Sequence, residues 1–417
     1  MLLKFMCSNF ASIRDEAVLS LEPSGDRDHP ENLLKSGEYT ALAEIALFGA
    51  NASGKSSLLM AMGRAVSILR DSSIRQADRM IPVVPFCLDD ESPKKTSEFE
   101  FTFTASDGRK YTYGFSADIE AVREERLYFS SSRGERMIFE RNGDSCEFPK
   151  SLWEELSPLV RMNTPNKLFL ATAACWNAKS VLLPYTWLSG SIASAGGAQG
   201  PAAIALELYR THPREYAEFA KELLRQADLE LDDIQVETEE AGPYGSLMSA
   251  PWIMAGGMGT GGGYRTKITT VHAVKTASGE TRRCRLRLSE EAAGTKSLIF
   301  LAPIIKDVLD SGKTLLVDDI DRSLHPALVR LLADIFRRSD MNPHGAQLIF
   351  ASQETSLLSD NILRPDQVYF TQKCPDTGAT SLYSLDKFRP GDSDDPGKEY
   401  LMGRFGAVPR IKAGEPV

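Results

Sequence analysis

The sequence lacks any long apolar run. No stretch approaches the roughly 18 uninterrupted apolar residues that a membrane-spanning helix needs. The apolar start at residues 1–7 is short and gives way to polar and charged residues, which is atypical of a signal peptide or a membrane anchor. We therefore expect a cytoplasmic protein that makes no membrane contact.

Cysteine and histidine patterns are also missing. The six cysteines are scattered without a CxxC pair, and the five histidines form no HExxH motif. Such cysteines are typical of incidental or buried thiols in a reducing cytosol. The sequence therefore predicts no structural zinc.

An excess of positive charge is absent too, because the chain has 48 basic and 57 acidic residues and therefore a net charge of −9. An acidic chain is not built to coat nucleic acid over its whole surface. The apolar fraction of 42% and the charged fraction of 25% exclude collagen-like, disordered and disulfide-scaffold proteins. A length of 417 residues allows one large α/β domain with an inserted lobe, or two ordinary domains.

The apolar pattern divides the chain into three segments. Residues 1–150 begin with a hairpin and continue as short alternating runs around one helix pattern, which predicts a mixed sheet with an antiparallel β-meander. Residues 151–230 have helical spacing and predict an inserted helical lobe. Residues 231–417 return to strands and helices and form a C-terminal lobe. The overall prediction is an α/β fold.

Within the C-terminal lobe, residues 314–318 and 347–352 have continuous apolar centres, which indicates strands buried in a parallel sheet. Residues 265–275 and 282–288 favour a pair of strands, and the second carries Arg282, Arg283, Arg285 and Arg287. These arginines indicate a solvated face, with nucleic-acid or partner binding as the alternative. The glycine-rich stretch at residues 255–264 favours a surface loop over a phosphate site, because no helix start follows it.

A complete GxxxxGK[ST] motif, GANASGKS, occupies residues 49–56. It follows an apolar strand and precedes a helix pattern, which is the context that the phosphate-binding loop requires and that disfavours a chance match. Lys55 should reach the β- and γ-phosphates of ATP, and the Ser56 hydroxyl should ligate Mg²⁺. The predicted nucleotide-binding residues here are Gly49, Asn51, Ser53, Gly54, Lys55, Ser56 and Ser57.

A second acidic motif follows the strand at residues 314–318. Asp318 ends this apolar run and Asp319 comes next. A carboxylate at the end of a buried strand is the Walker B arrangement, so Asp318 should hold Mg²⁺ directly or through water. Asp319 occupies the place of the catalytic residue that polarises the attacking water.

Five segments together resemble the ABC-type ATPase heads of the SMC and OLD-like branch. More narrowly, they resemble the compact AAA-annotated ATPases of bacterial anti-phage and abortive-infection systems, such as the AbiL-, PARIS- and Septu-type ATPase subunits. The segments are NFASIRDE at residues 9–16, the phosphate loop, the signature segment LSEEAAGTK at 288–296, the segment LVDDIDRSLHP at 316–326, which combines Walker B with the D-loop, and YLMGRFGAVP at 400–409.

The resemblance implies a homodimer, or a higher oligomer, in which two protomers clamp ATP. The signature segment of one protomer, with Gly294 and Thr295, would then face the nucleotide bound by the other. A helix start that offers backbone N–H groups suits a γ-phosphate.

This sequence departs from the family pattern at several positions. Aspartate stands at Asp319 where glutamate is usual, Ala292 takes the place of the signature serine, and Gln353 replaces the switch histidine as a catalytic residue. Ala11 stands where arginine is frequent, and Gln76 is the nearest candidate for a Q-loop glutamine. These changes predict tight ATP binding with slow turnover. The alternative is that Asp319 and Gln353 do the usual work with adjusted geometry.

Three functions are compatible with these motifs. The first is an ATP-dependent dimeric sensor or scaffold that controls a separate effector, a nuclease, in antiviral defence. The chain has no room for a nuclease domain, so another chain would carry the output, with residues 151–230 and 255–264 as partner surfaces. The second is a repair-type ATPase that acts directly on DNA ends or structures. The third is a different P-loop class. A small GTPase would need an NKxD motif, which the pair Asn166-Lys167 does not complete, and a small-molecule kinase would not explain the segments at residues 288–296, 316–326 and 400–409.

Overall fold

The computed structural model describes residues 1–25, 28–131, 134–195, 200–229, 231–240, 264–275, 277–359, 362–388 and 395–409. The glycine-rich stretch predicted as a loop lies outside the described residues, apart from its last position.

The strands, numbered along the chain, are β1 (Leu2–Ser8), β2 (Ala17–Ser20), β3 (Leu33–Ser36), β4 (Tyr39–Leu42), β5 (Glu44–Phe48), β6 (Ser97–Thr104), β7 (Lys110–Ala117), β8 (Val122–Ser131), β9 (Gly134–Asn142), β10 (Ser145–Glu147), β11 (Ile192–Ser194), β12 (Asp233–Glu240), β13 (Tyr264–Lys275), β14 (Thr281–Arg287), β15 (Thr314–Val317), β16 (Gln347–Ala351), β17 (Val368–Lys373) and β18 (Thr380–Ser384).

The α-helices are α1 (Lys55–Ser72), α2 (Trp153–Leu156), α3 (Phe169–Cys175), α4 (Lys179–Gly190), α5 (Gly200–Thr211), α6 (Pro213–Gln226), α7 (Ala293–Ser311), α8 (Pro326–Arg337), α9 (Ser356–Ser359) and α10 (Pro396–Leu401). No helix in the described ranges combines the length and the apolar character needed to cross a bilayer.

The phosphate-loop strand lies in a six-stranded sheet with the order β11-β15-β16-β5-β17-β18. Its strands run parallel except for β18. Every residue of β5, β15 and β16 is buried, as expected for parallel strands covered on both faces. The buried apolar runs therefore predicted β15 and β16 correctly.

The predicted meander is a separate, fully antiparallel sheet of seven strands with the order β10-β9-β8-β7-β6-β1-β2. The predicted mixed sheet is the six-stranded one, but residues 1–150 contribute only β5 to it. The strand β5 hydrogen-bonds to β16 and β17, which lie about three hundred positions further along the chain, and such non-local pairing leaves no local signal in the sequence.

Between these sheets lies α1, which contacts β1 and β6 of the antiparallel sheet and β11 and β15 of the parallel one. Its buried side chains, including Leu58, Met62, Ala65 and Leu69, recur at helical spacing. Aromatic rings fill the core, where Phe103 stacks on Trp187 at 4.1 Å between ring centroids.

The chain forms two compact units. The first comprises Met1–Ser194, Ser311–Ile320 and Leu332–Val417, and the second comprises Ala195–Asp310 and Asp321–Leu331. The region predicted as a helical lobe at residues 151–230 is thus divided. Its first part, with α3 and α4, packs against α1 in the first unit, and α5 and α6 belong to the second.

The second unit also contains a three-stranded antiparallel sheet, β12-β13-β14. The predicted pair at residues 265–275 and 282–288 is confirmed as β13 and β14. The strand β12 was not predicted, because its acidic sequence DIQVETEE carries few of the residues that favour strands.

Candidate nucleotide-binding site

The phosphate loop joins β5 to α1 and borders a cavity of about 320 Å³ in the first unit. The positive end of the 18-residue helix α1 points to this loop. Candidates that the sequence places far apart line the same cavity, because β5, β15 and β16 end at the same edge of the sheet. The lining residues are Ser12, Asn51, Ala52, Ser53, Gly54, Lys55, Ser56, Ser57, Asp319 and Gln353.

Both glycines of the motif are required by the backbone. Gly49 has a φ of 153°, and a Cβ atom there would lie 2.5 Å from the Thr371 carbonyl oxygen. Gly54 has a φ of 115°, and a Cβ atom there would collide with Thr380. Only glycine tolerates both the dihedral angle and the close approach.

Lys55 is 6% exposed. Its Nζ donates hydrogen bonds to the carbonyl oxygens of Gly49 at 2.7 Å and Ala50 at 3.3 Å. The ammonium group therefore lies along the loop that would surround the phosphates, where a positive charge stabilises an anion.

Asp318 provides the test of whether the site fits a metal ion. Its Oδ1 is buried and has no hydrogen-bond partner among the described residues. A buried carboxylate oxygen without a partner is costly unless a cation or water satisfies it. The Ser56 hydroxyl lines the cavity, whereas Asp318 is not among the described lining residues and directly precedes Asp319, which is. A hydroxyl and an unpartnered carboxylate oxygen are ligand types that suit an ion such as Mg²⁺.

Asp319 has a φ of 48°, in the left-handed region that aspartate enters more readily than most residues. The amide of Ile320 donates to the Ala351 carbonyl oxygen at 3.0 Å, so the turn is fixed to the end of β16. The sharp turn places Asp319 on the cavity wall.

Gln353 follows β16 and donates from Nε2 to Asn51 Oδ1 at 2.8 Å. The predicted switch glutamine therefore contacts the phosphate loop directly. An amide can donate or accept a hydrogen bond at this position, but it cannot add the positive charge of a protonated histidine.

A group of hydroxyl side chains that was not predicted from the sequence supports the loop from β17 and β18. Ser53 Oγ lies 2.6 Å from Thr371 Oγ1, and Thr380 Oγ1 donates to the Ser53 carbonyl oxygen at 2.9 Å. Thr380 Oγ1 also lies 2.8 Å from Ser12 Oγ, which lies 2.8 Å from Ser57 Oγ. The signal was present as two β-prone runs around Asp376-Thr377-Gly378, a turn sequence typical of hairpins.

The C-terminal segment at residues 400–409 also meets the loop. The Ala50 amide donates to the Ala407 carbonyl oxygen at 2.8 Å. A second cavity, of about 510 Å³, lies between this segment and the loop and shares Asn51, Ala52, Ser53 and Gln353 with the first. The segment therefore belongs to the neighbourhood of the site.

The predicted signature residues lie in the second unit, at the start of α7. Gly294 closely approaches the D-loop segment, because a Cβ atom there would lie 2.9 Å from the Ser323 carbonyl oxygen. Thr295 is buried at 6% exposure, whereas Ala292 and Ala293 are exposed. The exposed start of this helix therefore presents backbone and methyl groups.

Two other residues singled out in the sequence lie outside the phosphate cavity. Gln76 is exposed just beyond α1 and does not contribute to the described lining. Asn166 is buried, and its Nδ2 donates to the carbonyl oxygens of Gln76 and Arg79 at 2.8 and 2.7 Å. These bonds give Asn166 a structural role.

A further cavity, of about 270 Å³, lies on the antiparallel sheet and shares no residue with the phosphate cavity. Five glutamates and two arginines contribute to its lining, which makes it a poor site for a phosphate. These charged residues are Glu98, Glu124, Glu125, Glu140, Glu147, Arg126 and Arg141.

The phosphate loop, the orphaned Asp318 oxygen and the shared sheet edge define an α/β nucleotide-binding protein of the P-loop class. The chain belongs to the family described as "AAA domain, putative AbiEii toxin, Type IV TA system", whose model matches residues 45–168 and 212–359, more than half of the chain. The matched ranges contain the phosphate loop, Asp318, Asp319 and Gln353.

Several solved structures show a remote likeness. The Smc head domain with a coiled coil and joint from Pyrococcus yayanosii is 11% identical, with 97% of this chain and 99% of that chain covered and a TM-score of 0.42. The SMC head domain from Thermotoga maritima is 11% identical, with coverages of 92% and 98% and a TM-score of 0.40.

The recombination mediator protein RecF, in a structure described as RecF-ATP, is 12% identical, with coverages of 92% and 97% and a TM-score of 0.39. At these scores the likenesses assign neither activity nor partner to this chain. No curated protein shows a significant match.

Proposed function

We propose that this protein binds ATP with Mg²⁺ in the phosphate cavity of the first unit and hydrolyses the ATP slowly. The observation that carries the proposal is the convergence of Lys55, Asp319 and Gln353 on one cavity bordered by a complete phosphate loop. These groups supply the cation, the carboxylate and the hydrogen bond that phosphoryl transfer to water uses.

Each residue has a distinct part in this proposal. Lys55 and the backbone N–H groups from Asn51 to Ser57 hold the phosphates, and Ser56 and Asp318 hold the metal ion. When bound, Mg²⁺ supplies charge stabilisation to the phosphate oxygens. Asp319 orients and polarises the attacking water. The Gln353 amide gives up its hydrogen bond to Asn51 and donates one to the γ-phosphate instead.

Slow hydrolysis is supported by the side chains at three positions. Asp319 is one methylene shorter than glutamate, Gln353 is uncharged, and exposed Ala292 offers no hydroxyl. Losing one contact in the transition state typically costs about 10²–10³ in rate. Losses at residues that act together need not add.

In the same proposal, ATP joins two protomers, with Gly294 and Thr295 of one facing the nucleotide of the other. The dimer serves in the cytoplasm as a sensor or scaffold that controls a separate effector, a nuclease, in anti-phage defence, as the AbiL-, PARIS- and Septu-type resemblance implies. The family description names a putative toxin of a toxin–antitoxin system, and this supports a role in defence.

Steady-state phosphate release with Mg-ATP tests the catalytic part, with Lys55→Ala as the control. Ordinary enzymes turn over at about 1–10³ per second, so a rate below about one per minute, with tight Lys55-dependent ATP binding, is the expected result. Brisk turnover would contradict slow hydrolysis, and Lys55-independent binding would contradict the site itself.

A second candidate function is direct action on nucleic acid, and the observation that favours it is β14. Arg283, Arg285 and Arg287 alternate along this edge strand and so share one face, and all three are exposed. Arg283 pairs with Asp232 at 2.6 Å. The chain as a whole carries a net charge of −9, but this row of exposed arginines is locally positive. It is therefore suited to binding the phosphates of nucleic acid.

Duplex DNA binding at 50 and 200 mM salt tests this candidate, with Arg283, Arg285 and Arg287 changed to alanine and exposed Arg123→Ala as the matched control. Nucleic-acid binding predicts a steep salt dependence that the triple variant reduces, because each phosphate contact releases counterions. Equal, weak binding by the wild type, the triple variant and Arg123→Ala would exclude direct action on nucleic acid.

A further inference from the structure

The signature segment is attached to the three-stranded sheet of the second unit at two successive glutamates. The strand β14 ends at Arg287, a 3-10 turn spans Leu288–Glu290, and α7 begins at Ala293. At the first attachment, Glu290 Oε2 accepts the Arg287 backbone N–H at 2.7 Å, which closes the turn on the end of β14.

The second attachment is Glu291, whose side chain is 7% exposed. Its Oε1 lies 2.7 Å from His272 Nε2 and also accepts a hydrogen bond from Thr270 Oγ1. Thr270 is fully buried, and its Oγ1 also lies 3.3 Å from the Leu286 carbonyl oxygen. Both partners lie on the central strand β13, so one carboxylate oxygen joins the signature segment to the middle of the sheet.

Such a contact restricts the residues that follow it. Hydrogen bonds to an ionised carboxylate are shorter and stronger than those between neutral groups, and a buried carboxylate that lost them would be left without compensation. Ala292 comes directly after Glu291, and Gly294 packs against the Ser323 carbonyl oxygen. The start of α7 is therefore held from the sheet on one side and from the D-loop segment on the other.

We propose that Glu291 is a positioning residue of the nucleotide site, which holds the signature segment in the orientation that receives ATP across the dimer. The proposal rests on the proposed function, because the signature acts only in an ATP-joined dimer. Since β14, which carries the exposed arginines, pairs with β13, an anionic partner that displaced these strands would displace the signature with them.

The test compares Glu291→Ala, Glu291→Gln and Thr270→Val with the wild type. The matched control is Glu237→Ala, because Glu237 lies on the same sheet, where it pairs with Lys267 at 3.7 Å and is exposed. Three quantities are measured: affinity for a fluorescent ATP analogue at low protein concentration, dimerisation with ATPγS by sedimentation, and hydrogen exchange of residues 288–296.

We expect Glu291→Ala to keep nucleotide affinity within twofold but to weaken dimerisation about tenfold, with faster exchange at residues 288–296. Glu291→Gln keeps an accepting oxygen and should recover most of the dimerisation, and Thr270→Val should fall between the two. The Glu237→Ala control should match the wild type. Unequal effects on affinity and dimerisation separate positioning from a general loss of folding.

Wild-type dimerisation and exchange in both Glu291→Ala and Thr270→Val would overturn the proposal. A parallel loss of nucleotide affinity and dimerisation in all three variants would also overturn it, because that pattern indicates a structural role. If the wild type binds ATPγS but does not dimerise, the ATP-joined dimer of the proposed function fails. Faster exchange in Glu291→Ala would then still support attachment of the segment, and unchanged exchange would refute it.

Discussion

At the scale of single residues, Asp319 combines a short carboxylate with a left-handed backbone. Its φ of 48° favours aspartate over glutamate, because the short side chain tolerates this region better. We expect Asp319→Glu to destabilise the fold by about 1 kcal/mol through backbone strain yet to raise ATP turnover about tenfold, because the longer side chain reaches further into the cavity.

Phosphate release and urea unfolding check this prediction on the same samples. Asp319→Asn provides the control, since it keeps the size of aspartate but removes the base and should be slower than the wild type. If the Asp319→Glu variant hydrolysed ATP more slowly than the wild type, the turn would require aspartate for activity. The short side chain would then not be the cause of slow turnover in the wild type.

Glu44 is a second residue whose environment sets a measurable property. It lies at the start of β5, fully buried, with Oε1 3.4 Å from Arg337 Nε. Burial raises the pKa of its carboxyl group from 4.5 to about 8, against the opposing effect of Arg337. The folded protein therefore binds a proton that the unfolded chain releases near its ordinary pKa.

The sign of the pH dependence follows from linkage. A raised pKa in the folded state contributes stability that is fully present below pH 4.5 and is lost as the pH rises through about 8. Urea unfolding at pH 5.5 and 8.5 should therefore show a larger loss of stability in the wild type than in Glu44→Gln, whose amide cannot ionise. Exposed Glu16→Gln should keep the wild-type slope, and equal slopes in all three would refute the assignment.

At the scale of elements, the hairpin of β17 and β18 supports the phosphate loop. Thr380→Val removes the hydroxyl that bonds to the Ser53 carbonyl oxygen and to Ser12 while keeping the shape of the side chain. One hydrogen bond contributes about 1 kcal/mol, so we expect ATP affinity to fall about fivefold. Isothermal titration measures this change, with exposed Ser381→Ala on the same strand as the control. Undiminished affinity would show that the loop keeps its shape without the hairpin.

The same elements show how much of the fold and of the site could be predicted from the sequence. The phosphate loop, β15 and β16 were predictable, because a motif and buried apolar runs are local signals. The support from Thr371 and Thr380 was not, since their hydrogen-bond partner Ser53 lies 318 and 327 positions away. The division of residues 151–230 between two units likewise depends on packing against α1, which no spacing in the sequence encodes.

At the scale of the whole molecule, the predicted nucleotide-binding residues are split between the units. The phosphate loop, Asp318, Asp319 and Gln353 belong to the first unit, and the signature belongs to the second. A ligand stabilises the structure that binds it, by about 2.7 kcal/mol at 100 times its dissociation constant. Nucleotide bound to one protomer should therefore protect the first unit before it protects the signature.

Hydrogen exchange with ATPγS at two protein concentrations measures this order. At low concentration we expect protection in the phosphate loop and in β17 and β18, and no change at residues 288–296. At high concentration residues 288–296 should become protected as well, because the signature then meets the nucleotide of a second protomer. Lys55→Ala should abolish both effects. Protection of residues 288–296 that does not depend on protein concentration would mean that the signature responds within a single chain, and the ATP-joined dimer would not be needed to explain it.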